Sequence, residues 1–137
     1  MTKIKSYTDI EQSKKLAEIL SIESADMWYS YYGNPKYNPT IAYEGEQWFL
    51  CHIRNSLHTD IPCWSLAALF NVLPNTIGNY NKILGWFDNS WHCKYMDEDG
   101  EGSEYSFSVD NPIDACFGMI IKLHEIGMNY GNSKNLS

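Results

Sequence analysis

The sequence predicts an α+β fold: one domain over residues 1–137, in which three helices cover an antiparallel sheet of about five strands. Three observations carry this. Aromatic residues make up 15% of the chain, with ten tyrosines and five tryptophans, and they gather in stretches of short period that suit strands. Three other stretches carry apolar residues at helical spacing. No repeat, low-complexity tract or linker divides the 137 residues, a length that buries roughly two-thirds of its unfolded surface as a single core.

The first helix begins near Thr8, which stands at capping-box spacing from Glu11. Leu16, Ile19 and Leu20 then share one side, with Lys14, Lys15 and Glu18 elsewhere. Residues 27–32 alternate as a strand until Gly33, Asn34 and Pro35 break them. In residues 47–53, Trp48, Leu50 and His52 alternate with Phe49, Cys51 and Ile53. Large groups on both faces predict a strand either covered on both sides or holding a partner on one. Pro62 opens and Pro74 closes a central helix over residues 63–73, apolar nearly all round and therefore deep in a core or an interface.

Residues 80–86, 91–96 and 105–109 predict a three-stranded meander, joined by a turn at residues 87–90 and by an acidic turn. The last helix has its start, its apolar face and its stop in the sequence. Asn111 caps, Pro112 takes the first helical position and Asp114 lies in the positive first turn. Phe117, Ile120, Ile121 and Leu123 supply the stripe, and Gly127 closes in the left-handed region.

The formal net charge of −7 is unevenly placed: residues 1–96 carry nine acids and eight bases, residues 97–137 eight acids and two bases. That sign disfavours a general nucleic-acid footprint or an anionic membrane surface. A local patch of Lys82 and Lys94 with Trp86 and Trp91 is the one arrangement that suits nucleic acid. No apolar window is long enough to span a bilayer, and no leader-like segment follows Lys3 and Lys5. Cys51, Cys63, Cys93 and Cys116 sit in apolar surroundings and read as reduced thiols of a cytoplasmic protein.

Catalytic and cofactor signals are sparse. The loop Asp97, Glu98, Asp99, Gly100, Glu101 partly resembles a calcium loop, but Ser108 occupies the twelfth position and strands flank it. It reads as a solvated hairpin turn. Cys51, His52, His58, Cys63, His92 and Cys93 include zinc-type ligands, yet neighbouring residues of a strand point to opposite faces, so no metal is expected. His124 reads as a helix-end histidine. No nucleophile elbow or phosphate loop is present, and no cofactor is expected.

Three segments carry a resemblance: Asp9 to Leu20 with Glu23 to Met27; Ile61 to Leu69 with Leu73 and Pro74; and Asp110 to Cys116 with Met119 to Glu125. Over about a third of the chain they resemble a family of small uncharacterised proteins from Bacteroides-group gut bacteria and their phages and mobile elements. The resemblance implies an intracellular product of a mobile or phage gene that works by binding a host or phage protein. It carries no activity, cofactor or site residue.

The expectation is therefore a non-enzymatic domain acting through contact with an unidentified protein partner. Asp97, Glu98, Asp99 and Glu101, or the exposed aromatics Trp86 and Trp91, form its surface, and a homo-oligomer stays open. The alternative is a small-ligand-binding or hydrolytic enzyme in which His52, His58 or His92 pairs with Asp60 or Asp88.

Overall fold

A computed structural model describes residues 5–31, 48–51 and 61–127. Helix α1 (Ile10–Ile19), strands β1 (Met27–Tyr31), β2 (Trp48–Cys51) and β3 (Ile61–Cys63), helix α2 (Leu66–Val72), strands β4 (Thr76–Ile77), β5 (Tyr80–Phe87), β6 (Ser90–Met96) and β7 (Gly102–Val109), and helix α3 (Pro112–Glu125) follow in order. The α+β architecture with three helices agrees with the sequence reading. Its strands fall into two antiparallel sheets, β2-β1-β3 and β4-β5-β6-β7, and the meander is the centre of the larger one. The turn at residues 33–35 and the outer parts of the 47–53 stretch lie outside the described residues.

The N-terminal cap of α1 stands one residue later than Thr8 and Glu11 suggest. The Asp9 carboxylate accepts the Gln12 amide at 2.8 Å, and the Gln12 side chain accepts the Asp9 amide at 3.1 Å. Thr8 is buried instead, and its hydroxyl accepts the Trp64 amide at 3.1 Å and meets Ser13 Oγ at 2.8 Å. A hydroxyl so committed leaves the cap to the exposed aspartate.

The central helix is shorter than residues 63–73. Residues Ile61–Cys63 pair with β1, with Met27 opposite Cys63. Pro62 therefore occupies an edge strand, where its missing donor costs nothing. Ser65 caps α2, accepting the Ala68 amide at 3.2 Å, while Asp26 holds Ser65 from outside at 2.9 Å on its amide. Leu73 is extended, as the residue before Pro74 must be. Leu69 and Val72 are buried, but Ala67 and Asn71 are exposed, so one face of α2 meets the core.

In the larger sheet, β5 and β6 join through Asp88 and Asn89, both at positive φ (52° and 61°), which fits the right-handed twist of a two-residue hairpin. The α3-facing side carries Leu84, Trp91, Cys93, Tyr95 and Phe107, in the register Leu84↔Cys93↔Phe107. Helix α3 lies across it, burying Ile113, Cys116, Met119, Ile120 and Leu123 with Leu16, Trp64 and Leu69. Asn111, Pro112, Asp114 and Gly127 act as the sequence predicts: Asn111 accepts the Asp114 amide at 2.8 Å, and Gly127 closes at φ 77°.

Asp114 also ties the starts of the two long helices together, accepting from Gln12 at 2.6 Å and Lys5 at 3.0 Å as well as from Asn111. Partial burial pushes its carboxyl up, but the hydrogen bonds from Asn111, Gln12 and Lys5 outweigh this and hold it below the usual carboxylate range. A depressed folded-state value means stabilisation that is present above about pH 4 and lost as pH falls below it. Acid titration of thermal stability should accordingly show an acid limb that flattens in Asp114→Asn. A limb equally steep in both proteins would contradict the assignment.

Gly118 fixes the approach of α3 to the sheet, because a Cβ there would fall inside the ring of Phe107. Helix propensity alone favours Gly118→Ala by about 1 kcal/mol. The overlap predicts the opposite sign, a loss of about 1–3 kcal/mol in denaturant unfolding, relieved when Phe107 is also replaced by alanine.

Candidate interaction surface

The two groups of residues that the sequence offers as a contact surface lie at opposite ends of the larger sheet. Trp86 pairs with Trp91 beside the β5–β6 turn, whereas Asn81 pairs with Met96 just before the acidic turn. Five residues of extended chain separate these ends, about 17 Å. The tryptophans and the carboxylates are two surfaces, not one.

In the acidic turn, the Asp97 amide donates to the Glu101 carbonyl at 3.0 Å and the Gly100 amide to the Asp97 carbonyl at 3.1 Å, with Gly100 at φ 83°. This is a three-residue hairpin loop with a glycine bulge. The Asp97 carboxylate sits inside it, accepting the amides of Asp99 at 3.0 Å and Glu101 at 2.8 Å. Asp97 thus shapes the loop, and Glu98, Asp99 and Glu101 stand exposed around it. A polar recess of about 480 Å³ separates the loop from Thr76, Asn79 and Asn81. Among the described residues, no three His, Cys, Asp or Glu side chains come together as metal ligands.

At the other end, Trp86 is 54% exposed. Its indole stands edge-on to Trp91, centroids 5.9 Å apart, and Trp91 packs against the core. The two form a pair without mutual ladder bonds, the geometry that brings cross-strand side chains closest. Trp86 is therefore an exposed ring propped on a partly buried one. Beside it, Leu66, Ala67 and Phe70 of α2 face Lys82, Ile83 and Leu84 across a groove of about 740 Å³.

His92 and the described cysteines are held within the fold. His92 lies flat on Phe87, 4.1 Å between centroids, with Nε2 at 2.9 Å from the Phe87 carbonyl and 3.1 Å from Ser90 Oγ. Its hydrogen-bond partners are neutral groups of its own hairpin, and Asp88 stands exposed in the turn at positive φ. His52, His58 and Asp60 lie outside the described residues. Cys93 and Cys116 meet in the core; the hydrogen bond between them and then burial push the Cys116 thiol up, against any role as a thiolate. Cys63 is raised by burial and donates to the Thr8 carbonyl at 3.5 Å. His124 is half-buried in the last turn of α3.

Lys82 and Lys94 do not assemble with the tryptophans into a basic stripe. Lys82 Nζ donates to the carbonyls of Phe70 (2.6 Å) and Leu73 (3.2 Å) at the end of α2. Lys94 lies on the opposite face, over the Phe87 ring at 4.3 Å. Sequence reasoning missed the α2–β5 groove. Its only signal was the uncharged run Ile83, Leu84, Gly85, Trp86, Phe87 bounded by Lys82 and Asp88.

No family model, curated protein or solved structure matches the chain.

The inward role of Asp97 has a measurable consequence. Asp97→Ala should cost about 1–2 kcal/mol in unfolding experiments, since it strands two amides, while Glu98→Gln and Asp99→Asn should stay within about 0.5 kcal/mol. Equal effects at the three positions would refute it.

Proposed function

We propose that the protein is a non-enzymatic, cytoplasmic interaction domain whose contact surface is the Trp86 end of the larger sheet. One observation carries the reading: a tryptophan more than half exposed, edge-on to Trp91, two residues along β5 from Leu84, which lines a mainly apolar groove. Indole rings held this way are the commonest anchors of protein contacts, because they bury a large area at little cost in side-chain freedom. The exposed carboxylates of the acidic turn, without an apolar centre, are better suited to the rim of a contact or to solubility. The reading accords with the resemblance, which implies a phage or mobile-element product binding a host or phage protein.

Three proteins distinguish the surfaces: wild type, Trp86→Ala, and a combined Glu98→Gln, Asp99→Asn, Glu101→Gln variant. Each is immobilised and exposed to Bacteroides-group lysate with chemical cross-linking. The captured protein should fall roughly thirtyfold for Trp86→Ala, the effect of losing about 2 kcal/mol at a hot spot, and change little for the acidic variant. Equal capture by all three would sink the proposal.

A further inference from the structure

We infer that β5 is a docking edge for a second copy of this chain, added antiparallel so that Trp86 of each copy enters the α2–β5 groove of the other. This rests on the Trp86 end being a contact surface and names its occupant.

The backbone supplies the first argument. Lys82 donates its amide outward from β5, to the Asn75 carbonyl at 3.1 Å, and strand alternation therefore turns the N–H and C=O of Leu84 and Trp86 outward as well. Among the described residues, β4 pairs with β5 only at Tyr80 and Asn81, and no strand continues beyond. The opposite edge of the sheet is guarded: Lys122 Nζ donates to the outward carbonyls of Glu104 at 2.8 Å and Ser106 at 3.3 Å. A lysine across an edge is a common way to prevent strand addition. Edge β5 has the reverse, five uncharged residues from Ile83 to Phe87.

The register follows from those outward groups. A two-fold axis at Gly85 sets Leu84 of one copy opposite Trp86 of the other, and each such pair exchanges two main-chain hydrogen bonds. The pairing ends there, because the outward Lys82 amide is already given to the Asn75 carbonyl and its ammonium to the carbonyls that end α2. Leu84 lines the groove with Leu66 and Phe70, so the indole that faces Leu84 meets that groove. Gly85 presents no side chain at the axis, and Ile83 falls beside Phe87 of the second copy. The contact is isologous and closes as a dimer.

The register makes the test specific. Gly85 faces Gly85 across the axis as a non-hydrogen-bonded pair, with Cα atoms about 4.5 Å apart, within disulfide reach. A Cβ at Gly85 meets the Phe87 ring at 3.4 Å, an ordinary contact. In Gly85→Cys, oxidised glutathione takes the two electrons, forming one intermolecular disulfide and two reduced glutathiones. In Ile83→Cys the new thiol faces Phe87 and has no partner. Light scattering on the wild type should show the mass doubling from 15.8 kDa as concentration rises. Trp86→Lys should remain at the single-chain mass with wild-type circular dichroism and melting, and Gly85→Cys alone should yield the covalent dimer.

A wild type that stays monomeric at every concentration, with no Gly85→Cys dimer, overturns the inference. So does equal cross-linking of the two cysteine variants, which would mean association through another surface. A monomeric wild type whose capture of a lysate protein still depends on Trp86 overturns the second copy as occupant while leaving the contact surface intact.

Discussion

The fold depends on the buried bonds made by Thr8. Its amide donates to the Trp64 carbonyl at 2.9 Å, its hydroxyl accepts the Trp64 amide, and its carbonyl accepts Tyr29 Oη at 2.7 Å and the Cys63 thiol. One residue thereby joins the chain entering α1 to β1, to β3 and to the segment leading into α2. A buried polar group left without a partner costs about 1–3 kcal/mol, so so many satisfied groups in one place tolerate little displacement. Trp64, fully buried and donating its indole N–H to Ser24 at 2.9 Å, is held from both ends and forms the floor on which α1, α2 and α3 meet. The smaller sheet, short-stranded by itself, gains its position from this junction.

The larger sheet solves a different problem, that of its two edges. On β7, Lys122 reaches down from α3 and neutralises outward carbonyls, while Phe107 packs against the one helical position that lacks a side chain. On β5, the comparable lysine is Lys82, and its ammonium is directed away from the strand to the carbonyls that end α2. Those carbonyls need a donor because a helix leaves its last turn unsatisfied, and Pro74 prevents the chain from continuing as helix. Burial lowers the Lys82 pKa, in keeping with an ammonium drawn under the helix. Stabilising α2 and guarding β5 compete for the same cation, and α2 has it.

Elements written with local signals were legible in the sequence. The meander and α3 could be read because two-residue turns, caps, a proline and a closing glycine act within a few residues of themselves. The first cap was misplaced by one residue because Thr8 is taken by a partner 56 positions away, and the start of α2 was set too early because Ile61–Cys63 is claimed by β1. Both errors are tertiary contacts overriding a valid local preference. Trp86 was legible as an aromatic of interest, but the groove beside it was not, since Phe70 and Leu84 come together only when α2 is seated on the sheet. The separation of the acidic turn from the tryptophans likewise follows from strand register, which composition does not encode.

What each reactive group is doing narrows the function more than any motif. Cys63, Cys93 and Cys116 are buried, His92 is stacked and bonded within its hairpin, Asp97 is folded into its turn, and Asp114 is shared among three donors. A general base or nucleophile needs an accessible atom poised for transfer; the three thiols are buried, and the His92 ring, Asp97 and Asp114 are held in hydrogen bonds that shape the fold. Trp86 stands out among the described residues: a large apolar ring more than half exposed, two residues from another outward backbone pair, beside a groove that the described residues leave open. Exposure of that kind is costly in an isolated chain and becomes favourable on association. The proposed contact between proteins would bury that ring.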